Sequence, residues 1–266
     1  MPATARHVAL AALRTYMQGM AVHAQGTYPP LDTLKPVAEE VWIVDGPVIR
    51  FGMPWPKMPF PTRMTIVRIG ADLFVHSPTP LTRDLRDEVD GIGRVRWIVG
   101  PNRLHYWWIP EWHRAYPDAE IYLAPRTPEQ AGDHIDFPCA ILDRAGGYPW
   151  DGAIATLPVA GSFMTEVVFF HRPSRTLLLA DLIENFERGR IGPCFRLLAR
   201  LGGVLDPAGG MPRDLRMTFS GRKPLLRAQI DAMIDWDPER IVIAHGRWYA
   251  SGGASELRRA FRWLRG

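Results

Sequence analysis

Four short apolar runs in this chain end abruptly in a group that can hold a metal or move a proton. That recurrence constrains the fold more than any other feature. Leu73–Val75 ends in His76, Arg94–Val99 leads through Gly100-Pro101-Asn102 to His105, Thr176–Ala180 ends in Asp181, and Arg240–Ala244 ends in His245. The runs are rich in β-branched and large apolar residues, so they read as buried strands. Pro101 has no N–H for a ladder, and Gly and Asn accept turn geometry, so the second run must stop where it does. Open α/β folds place chemistry at the carboxyl ends of strands. One strand-end histidine is usually a structural residue. Four such ends in a chain with eight histidines point to a shared site of His76, His105, Asp181 and His245.

The rest of the chain supplies layers around those strands. Val41–Val44 and Val48–Phe51 are expected to be two strands joined by a hairpin turn at Asp45-Gly46. Met53–Arg63 carries four prolines and is expected to be a loop. Met64–Ile69 and Leu73–Val75 pair around Gly70-Ala71-Asp72. Further strands are expected at Ile121–Ala124, Cys139–Leu142, Ala153–Val159 and Glu166–Phe170, with His171 structural or surface-lying at the following turn. Helices are expected over Thr82–Val89, Trp112–Tyr116 and Cys194–Leu201. Another begins at a Ser220 cap and presents Leu226, Ile230, Met233 and Ile234 on one side, and a last one carries Leu257, Ala260, Phe261 and Leu264. No repeat or low-complexity linker divides the chain. Residues 1–36 therefore read as an N-terminal arm whose order is open, and 37–266 as a single domain. Hairpins alternating with helices in each half, with no GxGxxG after a strand, indicate a layered α/β sandwich of mixed sheets.

Composition removes several classes of function. A formal charge of +4 and a pI near 9.3 are mild, and no basic run with interleaved aromatics occurs, so specific nucleic-acid binding is not expected. The two cysteines, Cys139 and Cys194, lack CxxC spacing; they exclude a disulfide framework and a cysteine zinc site and are expected to be buried small residues. The apolar run Val8–Leu13 is broken by Arg14, far short of the roughly 18 residues that span a bilayer. The expectation is a soluble, cytoplasmic protein whose partner is a small-molecule substrate or ligand; nothing indicates an oligomeric state.

The order of hairpins, the Leu177-Leu178-Leu179-Ala180-Asp181 ending and His245-Gly246 resemble the metallo-β-lactamase superfamily. The resemblance is closer still to an uncharacterised branch, a domain-of-unknown-function family. Its marks are Arg63-Met64-Thr65, His76-Ser77-Pro78, Pro101-Asn102 with His105, Glu166 to His171 and His245-Gly246, spread over roughly Val41 to Leu264. The resemblance implies an αββα sandwich of two mixed β-sheets with a metal site between them. It also implies a reduced site. Where the superfamily has His-x-His-x-Asp-His, this chain has Pro101-Asn102-Arg103-Leu104-His105, so His105 matches only the last histidine. Gly161-Ser162 stands where the superfamily has Gly-His. Asp181 matches the bridging aspartate and His245 the final histidine. One metal position thus loses all three of its histidines, while the other keeps His105, Asp181 and His245 and loses an aspartate at Leu104. Two His and one carboxylate suit one Zn or Fe ion, with His76 as a further ligand, orienter or proton carrier. The expected function is hydrolase-like chemistry on an unidentified small substrate. The rival expectations are a catalytically degenerate, metal-free binding protein and, from the same ligand set, an oxygen-using iron protein.

Overall fold

The computed structural model describes residues 26–52 and 57–265. The first 25 residues of the N-terminal arm, His7 and His23 among them, and residues 53–56 lie outside the described residues. Seven strands in chain order form one sheet: β1 (Lys35–Ala38), β2 (Val41–Phe51), β3 (Met58–Ile69), β4 (Asp72–His76), β5 (Arg94–Gly100), β6 (Glu120–Leu123) and β7 (Ala140–Ile141). Its first four strands pair antiparallel and the remainder parallel. The second sheet contains β8 (Ile154–Ala160), β9 (Thr165–His171), β10 (Thr176–Leu178) and β11 (Arg240–Val242), in the order β11-β10-β9-β8. There β8, β9 and β10 are antiparallel neighbours and β11 lies parallel to β10. Both sheets are mixed.

The near-continuous apolar strands are explained by burial on both faces. Phe74, Trp97, Val99, Val167 and Phe169 meet between the sheets. Their neighbours Leu73, Val75 and Ile98 point the other way, against α1 (Arg83–Ile92) and α2 (Ile109–Ala115). Val168, Phe170 and Ile241 likewise face α6 (Lys223–Asp235) and α7 (Gly253–Ala260). Shorter helices α3 (Thr127–Ala131), α4 (Pro193–Gly202) and α5 (Arg213–Met217) complete the set. The layers are helix, sheet, sheet, helix, as the expected αββα sandwich requires. No helix among the described residues is long and apolar enough to cross a membrane.

Several local expectations are corrected. Asp45-Gly46 makes no hairpin; β2 runs straight through it with a register shift between Asp45 and Val48. Asp45 is buried and held by Arg63 Nη2 at 2.6 Å and Lys35 Nζ at 2.8 Å, so its charge is satisfied inside the sheet and not at a turn. Met53–Arg63 is not a loop throughout, because Met58 to Pro61 pair with Phe51 to Val48. Pro59 and Pro61 are two residues apart and so face the same edge, and β4 begins to pair with β3 only at Thr65. A missing N–H on an unpaired edge costs no ladder bond. Ser220 lies in a single 3₁₀ turn, and no side chain caps α6. Cys194 is exposed in the first turn of α4, and Cys139 is half-buried just before the edge strand β7, so neither is the fully buried small residue expected.

Candidate metal centre and its cavity

The loops after β5, β10 and β11 bring His105, Asp181 and His245 together. One donor atom from each lies within 4.8 Å of the others. His245 Nε2 stands 3.1 Å and His105 Nε2 3.3 Å from the same oxygen, Asp181 Oδ1. Their far ring nitrogens are engaged elsewhere. His245 Nδ1 is 2.7 Å from the Pro61 carbonyl oxygen. A carbonyl can only accept, so Nδ1 carries a proton and Nε2 is left to bind a proton or a cation. His105 Nδ1 is 2.7 Å from Ser77 Oγ, which can donate or accept.

Residues that looked like isolated marks in the sequence build this arrangement. Pro61, whose missing N–H falls on the unpaired edge of β3, lends its carbonyl to His245. Two residues on, buried Arg63 donates from Nη1 to the carbonyls of Ile243 and Gly246, each at 2.8 Å. It thereby ties the first sheet to both sides of His245. Gly246 is required by space and by conformation. Its φ is 95°, and a Cβ there would meet the Asn185 carbonyl oxygen at 2.1 Å. Ser77 has a φ of 55°, a left-handed turn directly after β4 that carries its hydroxyl toward His105.

The other side of Asp181 is closed. Asn102, fully buried, donates from Nδ2 to Asp181 Oδ2 at 2.8 Å and accepts from the Leu104 N–H at 2.8 Å. Glu166 accepts the backbone N–H groups of Ala180 (2.8 Å), Asp181 (2.7 Å) and Leu182 (3.1 Å). Burial pushes the Glu166 carboxyl up, and the charge of Asp181 adds to that. Burial also works to raise Asp181. The charge and hydrogen bonds of His105 and His245 outweigh it and hold Asp181 well below the usual carboxylate range.

His76 is not one of the converging donors. It is buried against Phe169 with ring centroids 5.6 Å apart, and its Nε2 has no hydrogen-bond partner. Burial, and then the charge of His105, lower it to about 3, so it is a neutral ring. Ser162, where a further histidine would stand, is exposed at the β8–β9 turn. His171 is buried and bonds Ser174 Oγ through Nδ1 at 2.7 Å, so of the two places expected for it the structural one holds.

Beside the triad lies a cavity of about 400 Å³, whose walls include Ser77, Leu104, His105, Asp181 and His245. Sequence reasoning missed one of its residues. Glu184, three positions after Asp181, also lines it and is 9% exposed. Its carboxyl receives no hydrogen bond or ion pair from any described group. Burial raises it to about 8, against the opposing charge of His245 and with help from Asp181 and Asp214. An acid following an apolar run by three residues is too common a pattern to single it out beforehand.

This donor set fits one small cation. Ligand atoms around a tetrahedral ion with bonds of roughly 2.0–2.1 Å lie about 3.3 Å apart, close to the His–Asp spacings above. The fold is that of the metallo-β-lactamases. DIM-1 metallo-beta-lactamase exposed to ceftazidime is similar over 87% of this chain and 95% of its own, at 13% identity and a TM-score of 0.59. TMB-1 is similar over 91% and 99%, at 13% identity and 0.58. FIM-1 from Pseudomonas aeruginosa, in its mono-zinc form, is similar over 88% and 96%, at 12% identity and 0.53. Within this fold the chain belongs to the family described as Domain of unknown function (DUF4336), whose model matches residues 40–190, more than half of its length. No curated protein matches the sequence.

Proposed function

We propose that this chain, a single domain over residues 37–266, is a metal-dependent, hydrolase-like enzyme with at most one ion. His105, Asp181 and His245 hold that ion, and the substrate is a small molecule seated in the adjoining cavity. One observation carries the reading. Two Nε2 atoms converge on one carboxylate oxygen, and because the Pro61 carbonyl keeps a proton on His245 Nδ1, the His245 Nε2 can face that oxygen only through a second proton or a cation. Such a cluster needs a positive charge at its centre. A Zn or Fe ion there would supply Lewis acidity and bring the pKa of a water down to about 7, within reach of neutral pH. The chain's own groups do the positioning. Ser77 and Pro61 orient the imidazoles, Asn102 and Glu166 hold Asp181, and Leu104 and Met164 exclude bulk water from one wall. His76 stands in a supporting place, one residue behind Ser77 and outside the donor set. That FIM-1, on the same fold, has a mono-zinc form supports a count of one.

A metal-free binding protein is favoured by a different observation. Asn102 already occupies Asp181 Oδ2, and separations of 3.1 and 3.3 Å suit hydrogen bonds from imidazolium groups as well as they suit a shared ion. Elemental analysis of protein purified without added metal separates the two. The enzyme reading expects about one equivalent of zinc or iron, lost in His245→Ala. Metal well below one equivalent, unchanged by that substitution and not restored by added Zn²⁺ or Fe²⁺, would falsify it.

A further inference from the structure

We infer that the cavity recognises a largely apolar molecule carrying an ammonium group, with Glu184 as the group that pairs with the cation. The inference goes beyond the metal reading and does not depend on it, because Glu184 is not among the three converging donors. Three features of the cavity lead here. First, Glu184 is buried, lines the cavity and has no hydrogen-bond or ion-pair partner for its carboxyl among the described residues. An uncompensated buried carboxyl is costly, and such groups are normally paired. Second, Lys and Arg are missing from the cavity lining among the described residues, although the chain carries 32 of them. The charged side chains that do line it, Asp181, Glu184 and Asp214, are all acidic. Asp181 is already engaged, and Asp214 is exposed and accepts its own helix's Leu215 N–H at 2.9 Å. That leaves Glu184 to meet an incoming charge. Third, Phe51, Phe60, Trp107, Trp108 and Phe163 also line the space. Aromatic faces bind the apolar body of a ligand and also attract a cation through their π-systems. An anionic ligand would find no Lys or Arg on this lining, and the two imidazoles that border it, His105 and His245, are already turned onto Asp181.

The discriminating experiment is calorimetric titration with three probes of one shape: phenylbutylamine, phenylbutanol and phenylbutyrate. It is run on the protein as purified and after chelation, near pH 8.5, where the amine is still charged. The ammonium is expected to bind at least about tenfold more tightly than the alcohol, and the carboxylate most weakly of the three after chelation. Glu184→Gln should reduce the ammonium to the level of the alcohol and leave the alcohol unchanged, which also shows that the variant keeps its fold. Carboxylate binding equal to or tighter than that of the amine in the chelated protein overturns the inference. So does an undiminished amine affinity in Glu184→Gln, or an absence of binding by all three. If Glu184→Gln loses the alcohol as well, Glu184→Asp decides. A retained preference for the amine supports the inference, and its loss with alcohol binding intact overturns it. Metal content is read separately, so a protein without metal that still selects the amine sinks only the metal reading.

Discussion

Asp181 and Glu184 are three residues apart in one segment and border one cavity, yet the protein treats them in opposite ways. Asp181 is wired on every side: two imidazoles at Oδ1, the Asn102 amide at Oδ2, and its own N–H on Glu166. Glu184 has the same carboxyl chemistry and comparable burial, but its carboxyl has no hydrogen-bond or ion-pair partner among the described residues. One is held ionised and the other is pushed toward its neutral form. Acids whose environments drive them apart in this way are a mark of functional sites, because each is set to a different task. What separates them is the supply of donors and positive charge, not depth.

The largest effect should come from Asp181→Asn, which keeps the shape and removes the charge that gathers the two histidines. Zinc affinity by competition titration should fall by several hundredfold, about 3–4 kcal/mol. A fall of less than tenfold would show that Asp181 is a structural acid like any other, and the contrast with Glu184 would collapse.

Glu184→Gln tests the other half, and its effect should run with pH. The folded carboxyl sits at about 8, against an ordinary 4.5, so the folded state keeps a proton that the unfolded chain releases between those values. The contribution to stability is fully present below 4.5 and is lost as pH rises through 8. Gln cannot ionise, so the variant should match the parent in urea unfolding near pH 4 and exceed it near pH 9 by a few kcal/mol. Equal stability at both ends would mean that Glu184 finds a partner after all.

Asn102→Ala comes next. Removing the clamp on Oδ2 frees the carboxylate to rotate, and zinc affinity should drop by about tenfold while the secondary structure persists. An increase in bound metal to two equivalents would be the more informative failure. It would mean that Asn102 blocks a second ion and that the remaining groups suffice to hold one.

Much of this was readable from the residues, and the parts that were not have physical causes. The strands declared themselves through apolar runs and abrupt polar ends, and His105, Asp181 and His245 do converge. The proline-rich β3 segment was illegible because a strand tolerates proline only where an edge is unpaired, and pairing partners are set by tertiary structure. Asp45-Gly46 carries a strong local hairpin signal that Arg63, 18 positions on, overrides by pairing with the aspartate inside the sheet. His76 looked equivalent to the other strand-end groups, but strand register sends its ring against Phe169 and leaves Ser77 to reach the site. Glu184 has no local pattern. It matters only because, among the described residues, no Lys or Arg lines the cavity beside it.

The smallest expected effect tests how the wired half achieves its order. Ser77 Oγ meets His105 Nδ1 at 2.7 Å, as the Pro61 carbonyl meets His245 Nδ1 at 2.7 Å. The two contacts differ in kind. The carbonyl accepts only, so it fixes the His245 tautomer, whereas the hydroxyl can serve either tautomer of His105 and contributes orientation alone. Ser77→Ala should therefore weaken zinc binding by only about threefold, less than 1 kcal/mol. Nitrogen-15 resonances should show His245 unchanged, with Nδ1 still protonated, and His105 redistributed between its two tautomers. A loss as large as that of Asn102→Ala would mean that the hydroxyl does choose the His105 tautomer. The wired half would then depend on a single rotatable O–H, and not on the backbone carbonyl that pins its other histidine.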